Sequence, residues 1–439
     1  MKTNKTLLST AVAFGLLSSA NLANAAGFQL AEYSATGLGR AYAGEAAMAD
    51  NASAQWRNPA MLTYLEGTQV SVGAIYVNPN IDVKGTTTLQ HPATGQTVAV
   101  TDSASDDFAH DAVIPNLYIS HRYNDQLAIG FALGTNYGME TDLGKDFAAS
   151  HFGNEASVIS KEANLNLAYQ LNEQFSIGGG IRYIIAEGSF GATAPKTNIL
   201  NLPQGTTLKY MEGDDTTWGW QVGSAWQINE NHRVGFTYKS EVELKLEGHA
   251  EGFGFNKIPG DTRDFYDTGS MTLSLPATAE LASFHQLSEQ LALHASINWT
   301  DWSSFKELYA NLDNNPGSMV KVENWEDNYR FAVGATYQLQ PKLALRTGIA
   351  YDTSAVSDKN RTITIPETDR TWLSIGATYD WTQDFTLDAG FTYIIAKDAP
   401  IKESRGYESD DKAQAIGGQF VGETTGNVWL IGVQANYRF

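Results

Sequence analysis

The sequence predicts an all-β fold, namely a 14-stranded antiparallel transmembrane β-barrel with an N-terminal hatch, or plug, inside its lumen. Three observations predict it: an export leader, apolar residues that alternate with polar ones from about residue 68, and short connections that alternate with long ones. We therefore expect a signal peptide at 1–25, the hatch at 26–67 and the barrel at 68–439.

The leader has the three parts of a secretory signal peptide. Lys2 and Lys5 supply the positive charge, the stretch 7–17 is mostly apolar, and Ala23-Asn24-Ala25 fits an A-x-A cleavage site. The rest of the chain contains no run of about 20 apolar residues, so no membrane-spanning helix is expected. The leader thus directs the chain out of the cytoplasm.

Composition excludes several functions. The formal net charge is -20, which makes the chain a poor partner for nucleic acids. The absence of cysteine excludes thiolate metal sites and cysteine nucleophiles. The eight histidines are scattered, and none lies in a nucleophile motif or at metal-ligand spacing. We therefore expect no catalytic site, no metal site and no cofactor.

The alternation has a period of two, as a strand between lipid and lumen requires. In the last strand the apolar set is Trp429, Ile431, Val433, Ala435, Tyr437 and Phe439, and the residues between them are Leu430, Gly432, Gln434, Asn436 and Arg438. Charged residues of the strands fall on the second face, among them Arg182, His294, Arg330, Arg346, Asp388 and Arg438. A Lys or Arg on the lipid face near midplane would cost roughly 2–4 kcal/mol, so this segregation indicates a membrane barrel.

Fourteen such segments occur, near 68–79, 113–123, 126–139, 157–171, 174–188, 216–228, 232–246, 268–285, 290–302, 327–340, 342–354, 369–381, 384–396 and 426–439. Short turns separate alternate pairs, at 124–125, 172–173, 229–231, 287–289, 340–341 and 382–383. Short turns on one side and long loops on the other are typical of outer-membrane barrels. Tryptophans near the strand ends predict interfacial girdles, namely Trp218, Trp220, Trp226, Trp299, Trp302, Trp372, Trp381 and Trp429.

Residues 26–67 do not alternate and are rich in alanine and glycine. A lumen enclosed by 14 strands is too wide to be filled by wall side chains alone. We therefore expect this segment to fold back and fill the lumen as the hatch.

The hatch also carries a family resemblance. The segments Gly27-Phe28-Gln29-Leu30-Ala31-Glu32-Tyr33-Ser34, Gly37-Leu38-Gly39-Arg40-Ala41-Tyr42 and Asn58-Pro59-Ala60 resemble the N-terminal hatch of the FadL/TodX family. The segments Asn136-Tyr137-Gly138, 300–330 and 360–379 extend this resemblance over nearly the whole mature chain. The resemblance implies a non-enzymatic transporter of long-chain fatty acids or other hydrophobic compounds in the outer membrane of a Gram-negative bacterium.

The resemblance also implies a mechanism. Ligand binds an apolar groove between the outer loops, then enters a pocket inside the barrel beside the hatch. The hatch rearranges, and the ligand leaves sideways through a kink in the third strand, without consuming a nucleotide or an ion gradient.

The resemblance carries over to individual residues. Thr135 matches a hydroxyl residue, and Lys321 a basic residue, that hold the polar head of the ligand in family members. The second basic residue of the family falls at about Ala192, so we predict that Arg182 or Lys196 replaces it.

Gating residues also match the family pattern. We predict that Phe28 and the triplet Asn58, Pro59 and Ala60 take part in hatch movement. Asn136, Tyr137 and Gly138 match the strand kink, and Asn and Gly suit an irregular backbone.

Three alternatives stay open: an aromatic hydrocarbon channel of the same family, a general porin, and an outer-membrane enzyme or adhesin. The expected partners are a long-chain fatty acid or other hydrophobic ligand, outer-membrane lipid and lipopolysaccharide, and the barrel assembly machinery, for which Phe439 resembles the terminal signal. We expect a monomer.

Deletion of residues 26–60 should raise small-ion conductance sharply, because the lumen would lose its plug. Conductance of the purified protein in planar bilayers measures this. An unchanged conductance would argue against a plug and in favour of an open porin.

Overall fold

The computed structural model describes residues 27–91, 94–256, 263–404 and 418–439, so the expected signal peptide lies outside the described residues. The first strands are β1 (Thr68–Gln90), β2 (Thr97–Ser105), β3 (Ala112–Arg122), β4 (Leu127–Gly134), β5 (Gly138–Asp142), β6 (Glu155–Gln170), β7 (Phe175–Thr193), β8 (Thr207–Asn229), β9 (His232–Lys239) and β10 (Val242–Glu251). They are followed by β11 (Tyr266–Leu275), β12 (Thr278–Gln286), β13 (Leu291–Thr300), β14 (Glu307–Leu312), β15 (Ser318–Val322), β16 (Asn328–Gln340), β17 (Leu343–Asp352), β18 (Arg370–Asp380), β19 (Phe385–Ala396), β20 (Ala399–Glu403) and β21 (Gln419–Arg438).

The strands close into one antiparallel barrel. β1 pairs with β3 on one side and with β21 on the other, from Gln69 opposite Arg438 to Thr88 opposite Gln419. Within the described ranges the wall has 14 strand positions, occupied in turn by β1, β3, β4, β6, β7, β8, β9, β12, β13, β16, β17, β18, β19 and β21. The fold class predicted from the sequence is confirmed.

Three of these positions are interrupted. β5 continues β4 after residues 135–137, β10 continues β9 after residues 240–241, and β11 leads into β12 through residues 276–277. The sequence predicted each of these as one segment. The remaining strands, β2, β14, β15 and β20, extend the wall on the side of the long loops.

The short turns contain two or four residues and lie where the sequence placed them. Two of them are capped in the same way by an asparagine, whose side-chain oxygen accepts hydrogen bonds from two backbone N–H groups. Asn124 Oδ1 accepts from Gln126 N and Leu127 N, at 2.9 and 2.8 Å, and Asn172 Oδ1 accepts from the equivalent pair. These bonds fix the reversal and hence the register of the strands that follow.

The two faces of the wall follow the predicted alternation. Ile297 is 48% exposed on the lipid face, whereas the neighbouring Asn298 is 8% exposed and donates from Nδ2 to Glu280 Oε2 at 2.9 Å. Trp218, Trp220, Trp226 and Trp381 are exposed, as interfacial girdles require.

The girdle prediction is wrong for two tryptophans. Trp302 and Trp372 are fully buried. Trp372 donates from Nε1 to Asp352 Oδ2 at 2.7 Å, and Trp302 packs against aromatic rings inside the barrel. Position near a strand end therefore does not by itself reveal which face a ring occupies.

The hatch consists of short helices joined by tight turns, and nearly all of it is buried in the lumen. Its helices are α1 (Ala35–Leu38), the 3-10 helix Glu45–Ala47, α2 (Ala54–Arg57) and the 3-10 helix Pro59–Tyr64, and two further 3-10 helices lie in the long loops at Phe253–Phe255 and Trp302–Ser304. Among the described residues, no helix is long and apolar enough to cross a bilayer.

Ile297→Arg should impair assembly, because a guanidinium near the bilayer midplane costs roughly 2–4 kcal/mol. Glu289→Arg, in the exposed turn before the same strand, is the matched control and should assemble normally. The heat-modifiable shift of the folded barrel in gel electrophoresis measures both. Equal shifts for the two variants would contradict the face assignment.

Candidate functional site: the hatch, the broken strand and the apolar chamber

Buried ion pairs hold the hatch together. Arg40 Nη2 lies 2.6 Å from Glu45 Oε1 and 2.7 Å from Asp50 Oδ2. Burial raises the pKa of Asp50, but Arg40 and Arg346 outweigh it, and the pKa falls to about 2. Tyr33 donates its hydroxyl to Glu45 Oε2 at 2.8 Å. A buried cation with two carboxylate partners fixes the turn around it.

Hydrogen bonds then fasten the hatch to strands all around the wall. The backbone N–H of Ala46 donates to Glu280, and Thr36 Oγ1 donates to Asp388. Further bonds across this boundary join Arg57 to Glu280, Arg330 to Ala41, Gln55 to Ile119, Asn58 to Ser224, Thr63 to Ser176 and Leu38 to Thr392. The hatch is thus tied to many strands rather than to one.

Glycines in the wall allow the hatch backbone to approach this closely. A Cβ at Gly235 would lie 1.9 Å from Ala46 O, and a Cβ at Gly178 would lie 2.5 Å from Ala60 N. The glycines whose missing side chain makes room for the hatch are Gly130, Gly134, Gly178, Gly223, Gly235, Gly334, Gly348, Gly376, Gly390 and Gly432. We call this set the glycine ring; its members lie on nine of the 14 wall strands and leave space there for the hatch.

The wall opens beside the third strand. The ladder between β3 and β4 ends at Leu117 opposite Leu133. Its continuation would place Pro115 opposite Thr135, and a proline cannot donate to a ladder. On the other side, the register with β6 changes by one residue, from Gly134 opposite Glu162 to Gly138 opposite Ile159. We call the opening between β3 and residues 135–137 the gap.

The start of the hatch occupies the edge that the gap leaves free. Leu30 N donates to Asn136 O, and Gly138 N donates to Phe28 O, both at 2.7 Å. Gln29 and Tyr137 form an antiparallel bridge. The N-terminal segment therefore supplies the ladder partner that the neighbouring strand cannot, and it satisfies backbone groups that would otherwise be orphaned at membrane depth.

Two of the predicted kink residues make buried side-chain hydrogen bonds, and that of Tyr137 reaches the third interruption. Tyr137 donates its hydroxyl to Pro276 O at 2.8 Å, across the lumen from the gap. Asn136 donates from Nδ2 to Glu162 Oε2 at 2.6 Å. The structure thus brings the kink triplet into contact with both the hatch and the opposite wall; Gly138 takes part through its backbone N–H.

Arg182 supports the same region. Its Nε and Nη2 donate to the two carboxylate oxygens of Glu162, each at 2.8 Å, and its Nη1 donates to Ser240 O at 3.0 Å. Ser240 lies in the interruption between β9 and β10, so the guanidinium satisfies a carbonyl that the ladder has released. The head-group role predicted for Arg182 stays a prediction, and these contacts favour a supporting role instead.

Phe28 lies at the centre of an aromatic cluster. Its ring centroid is 4.5 Å from that of Trp302, 5.8 Å from those of Phe305 and Trp325, and 6.2 Å from that of Tyr137. Gly27 has φ of +71°, and a Cβ there would clash with both tryptophans. The N-terminal segment is therefore held by aromatic packing as well as by its ladder bonds.

Above the hatch, the interior is apolar. Buried side chains from β7, β8, β10, β11, β14 and β15 meet there, including Ile184, Phe190, Met211, Leu244, Leu246, Leu273, Leu275, Leu308 and Val320. Phe28 and its aromatic neighbours form the floor of the same cluster. These side chains pack against one another, and we call the region that they occupy the apolar chamber.

Lys321 lies at the edge of the chamber and is 5% exposed. Its Nζ is 3.1 Å from Glu403 Oε1, donates to Thr364 Oγ1 at 3.2 Å, and lies 5.4 Å from the centre of the Phe190 ring. Glu403 also accepts from Ile363 N. Lys321 is thus a buried cation that already has a carboxylate partner, and its predicted head-group role stays a prediction.

The other predicted residues lie close to these features. Thr135 is buried in the gap. Asn58 is fully buried, accepts from Ala60 N, and donates to Ala46 O and Ser224 O, while Pro59 and Ala60 pack on Gly178. Asn58, Pro59 and Ala60 therefore hold the hatch against the wall. They lie about 30 residues after the N-terminal segment that closes the gap.

Sequence reasoning missed the carboxylates that organise these cations. Glu162 and Glu280 lie on strands and point inward, and Glu403 lies on a strand that was not predicted. Glu162 and Glu280 occupy alternate positions of predicted strands, so their inward orientation was available from the pattern. The cation that each carboxylate contacts depends on how the barrel closes, so the sequence pattern could not predict it.

A closed barrel in the outer membrane, filled by its own N-terminal segment and holding an apolar chamber above it, defines a plugged channel for apolar molecules. A family model described as outer membrane protein transport protein (OMPP1/FadL/TodX) matches residues 16–439. A long-chain fatty acid transport protein of Escherichia coli O6:H1 is 33% identical over 465 residues, which cover 100% of this chain and 99% of that protein. Outer membrane protein P1 of Haemophilus influenzae is 34% identical over 468 residues, with 100% of both chains covered.

Solved structures show the same fold. A Pseudomonas aeruginosa FadL homologue superposes with a TM-score of 0.82 at 22% identity, covering 94% of this chain and 100% of that chain. The Ralstonia pickettii toluene transporter TbuX gives a TM-score of 0.66 at 16% identity, with 94% and 100% covered. At these identities the likeness concerns the fold alone.

The chain belongs to the OMPP1/FadL/TodX family, as its hatch motifs indicated. It is a β-barrel protein of the Gram-negative outer membrane that transports hydrophobic compounds, and it is not an enzyme.

Gly178→Val should unseat the hatch, because the new side chain would overlap the backbone of Pro59 and Ala60. We expect a folded barrel with raised small-ion conductance in planar bilayers. Gly179→Val is the matched control, since a Cβ there lies 3.5 Å from its nearest neighbour, Gln221 O. Equal conductance for the two variants would contradict the seating role of the glycine ring.

Proposed function

We propose that this protein carries long-chain fatty acids across the outer membrane, and that residues 26–67 act as the hatch that controls their passage. The observation that carries this proposal is the buried ammonium group of Lys321 at the edge of the apolar chamber. A fatty-acid carboxylate can pair with a buried cation at this edge, whereas a pure hydrocarbon cannot.

The chamber suits a long alkyl chain. Each methylene group moved from water into an apolar site contributes about 0.8 kcal/mol, so a long chain binds much more strongly than a short one. The lining is aliphatic along β10 and β11 and aromatic around Phe28, and both kinds of surface pack against an alkyl chain.

Lys321 is placed to bind the carboxylate head. Glu403 pairs with its ammonium group, and Thr364 supplies a hydroxyl oxygen beside it. A fatty-acid carboxylate offers Lys321 the same chemistry as Glu403, so one can exchange for the other without leaving the cation unpaired. After the exchange Glu403 keeps the hydrogen bond from Ile363 N to its Oε2.

Phe28 is placed to couple binding to opening. Its ring fills the floor of the chamber, and its backbone carbonyl closes the gap through Gly138. An alkyl chain that occupies the floor of the chamber competes with Phe28 for the same aromatic neighbours. Displacing Phe28 breaks the ladder bonds of the N-terminal segment, and the gap beside Thr135 then leads from the chamber toward the bilayer.

Relatives support the choice of ligand. The full-length relatives described as long-chain fatty acid transport proteins are about one third identical to this chain, whereas the toluene transporters share the fold at 16% identity. Because each chain closes its own lumen and holds its own hatch, the proposal requires only a single copy.

Lys321→Ala should weaken the binding of oleate by about tenfold, because a charge-assisted hydrogen bond is lost. The binding of oleyl alcohol, which has the same chain and no charge, should change much less. Fluorescence competition on the purified protein measures both affinities. Lys402→Ala is the matched control, because Lys402 is an exposed lysine next to Glu403 on β20. Equal losses for the acid and the alcohol would count against a carboxylate ligand.

A further inference from the structure

A second buried lysine lies on the inner side of the gap. Lys239 is the last residue of β9 and is 4% exposed. Its Nζ donates to Asn136 Oδ1 at 3.3 Å and lies 4.7 Å from the centre of the Trp56 ring. Across the part of the chain that the structure describes, no carboxylate forms an ion pair with Lys239.

The nearest acid is already occupied. Both oxygens of Glu162 accept from Arg182, and Oε2 also accepts from Asn136. The cluster therefore contains two basic side chains and one carboxylate, and Lys239 reaches that carboxylate only through the amide of Asn136. One further anion would complete its charge balance.

Asn136 links this lysine to the closure of the gap. Its side-chain oxygen accepts from Lys239, its side-chain nitrogen donates to Glu162, and its backbone carbonyl accepts from Leu30 of the N-terminal segment. A change in the partner of Lys239 therefore acts on the same residue that holds the N-terminal segment in place.

Lys239 and Lys321 are different sites. Lys321 contacts Glu403, Thr364 and Phe190 at the outer edge of the chamber, whereas Lys239 contacts Asn136 of the gap and Trp56 of the hatch. The first cation is paired with a carboxylate and the second with a neutral amide.

We propose that Lys239 is a transfer site, which binds the carboxylate of an amphipathic acid at the inner mouth of the gap after the acid has left Lys321. This inference rests on the proposed function. The carboxylate is a stronger acceptor for an ammonium group than the amide oxygen of Asn136, so it displaces that amide. Asn136 then loses one of its two side-chain bonds and keeps only the bond to Glu162, which loosens the backbone that binds Leu30, and the gap opens while the acid is held beside it.

Lys239→Met tests this in cells that have no other route for fatty-acid uptake, with full-length protein in the outer membrane. We expect oleate uptake to fall about tenfold and uptake of oleyl alcohol to stay unchanged, because only the acid has a carboxylate for Lys239. Equilibrium oleate binding to the purified variant should also stay unchanged, since Lys321 is intact. Lys239→Arg should restore part of the uptake, and Lys245→Met, an exposed lysine on β10, is the control for loss of a charge.

Three results would overturn the transfer site. They are wild-type oleate uptake in Lys239→Met, equal losses for oleate and oleyl alcohol, and a loss of oleate binding as large as the loss of uptake. A heat-modifiable gel shift identifies variants that fail to fold, and Lys239→Gln, which keeps a polar group beside Asn136, replaces Lys239→Met if that variant does not fold. If the wild-type protein neither binds nor imports oleate, the proposed function itself fails, a result distinct from failure at Lys239 alone.

Discussion

Every backbone N–H and C=O group within the bilayer must find a partner inside the protein, and this constraint governs the whole structure. Pairing of β1 with β21 over almost their full lengths removes the free edges of the sheet. The ladder fails only locally, where Pro115 cannot continue it, and the N-terminal segment fills that place through Leu30 and Gly138. The same requirement explains why Arg182 and Tyr137 donate to Ser240 O and Pro276 O at the other two interruptions.

The hatch is attached in two ways that differ in strength. Its core is buried among the glycine ring and tied to the wall by ion pairs and hydrogen bonds, including those of Arg57 with Glu280 and Arg330 with Ala41. Its N-terminal segment is held by two backbone bonds and by the packing of Phe28. Because breaking few contacts costs less than breaking many, displacing the N-terminal segment costs less than displacing the core.

The sequence was sufficient for the barrel and insufficient for its interruptions. A period of two identifies the lipid face wherever one face is apolar, so Ile297 and its counterparts were assigned correctly. Beyond the membrane both faces are polar and the period vanishes, which is why β1 was predicted to end at 79 and continues to Gln90. Pro115 and Pro276 were visible signals for broken ladders, but the partners that repair them come from distant parts of the chain, and only the closed barrel brings them together.

The distribution of acids explains how the lumen holds so many cations. Most of the buried guanidinium groups meet a carboxylate at short distance, as with Arg182 and Glu162, and such pairs are rigid because either member alone would be a costly buried charge. Two of the buried lysines are held less firmly: Lys321 shares a carboxylate that also binds a backbone N–H, and Lys239 donates to an amide. A single ammonium group with a replaceable partner can release that partner when an anion arrives. The fixed pairs therefore hold the wall, whereas Lys321 and Lys239 have partners that a carboxylate could replace.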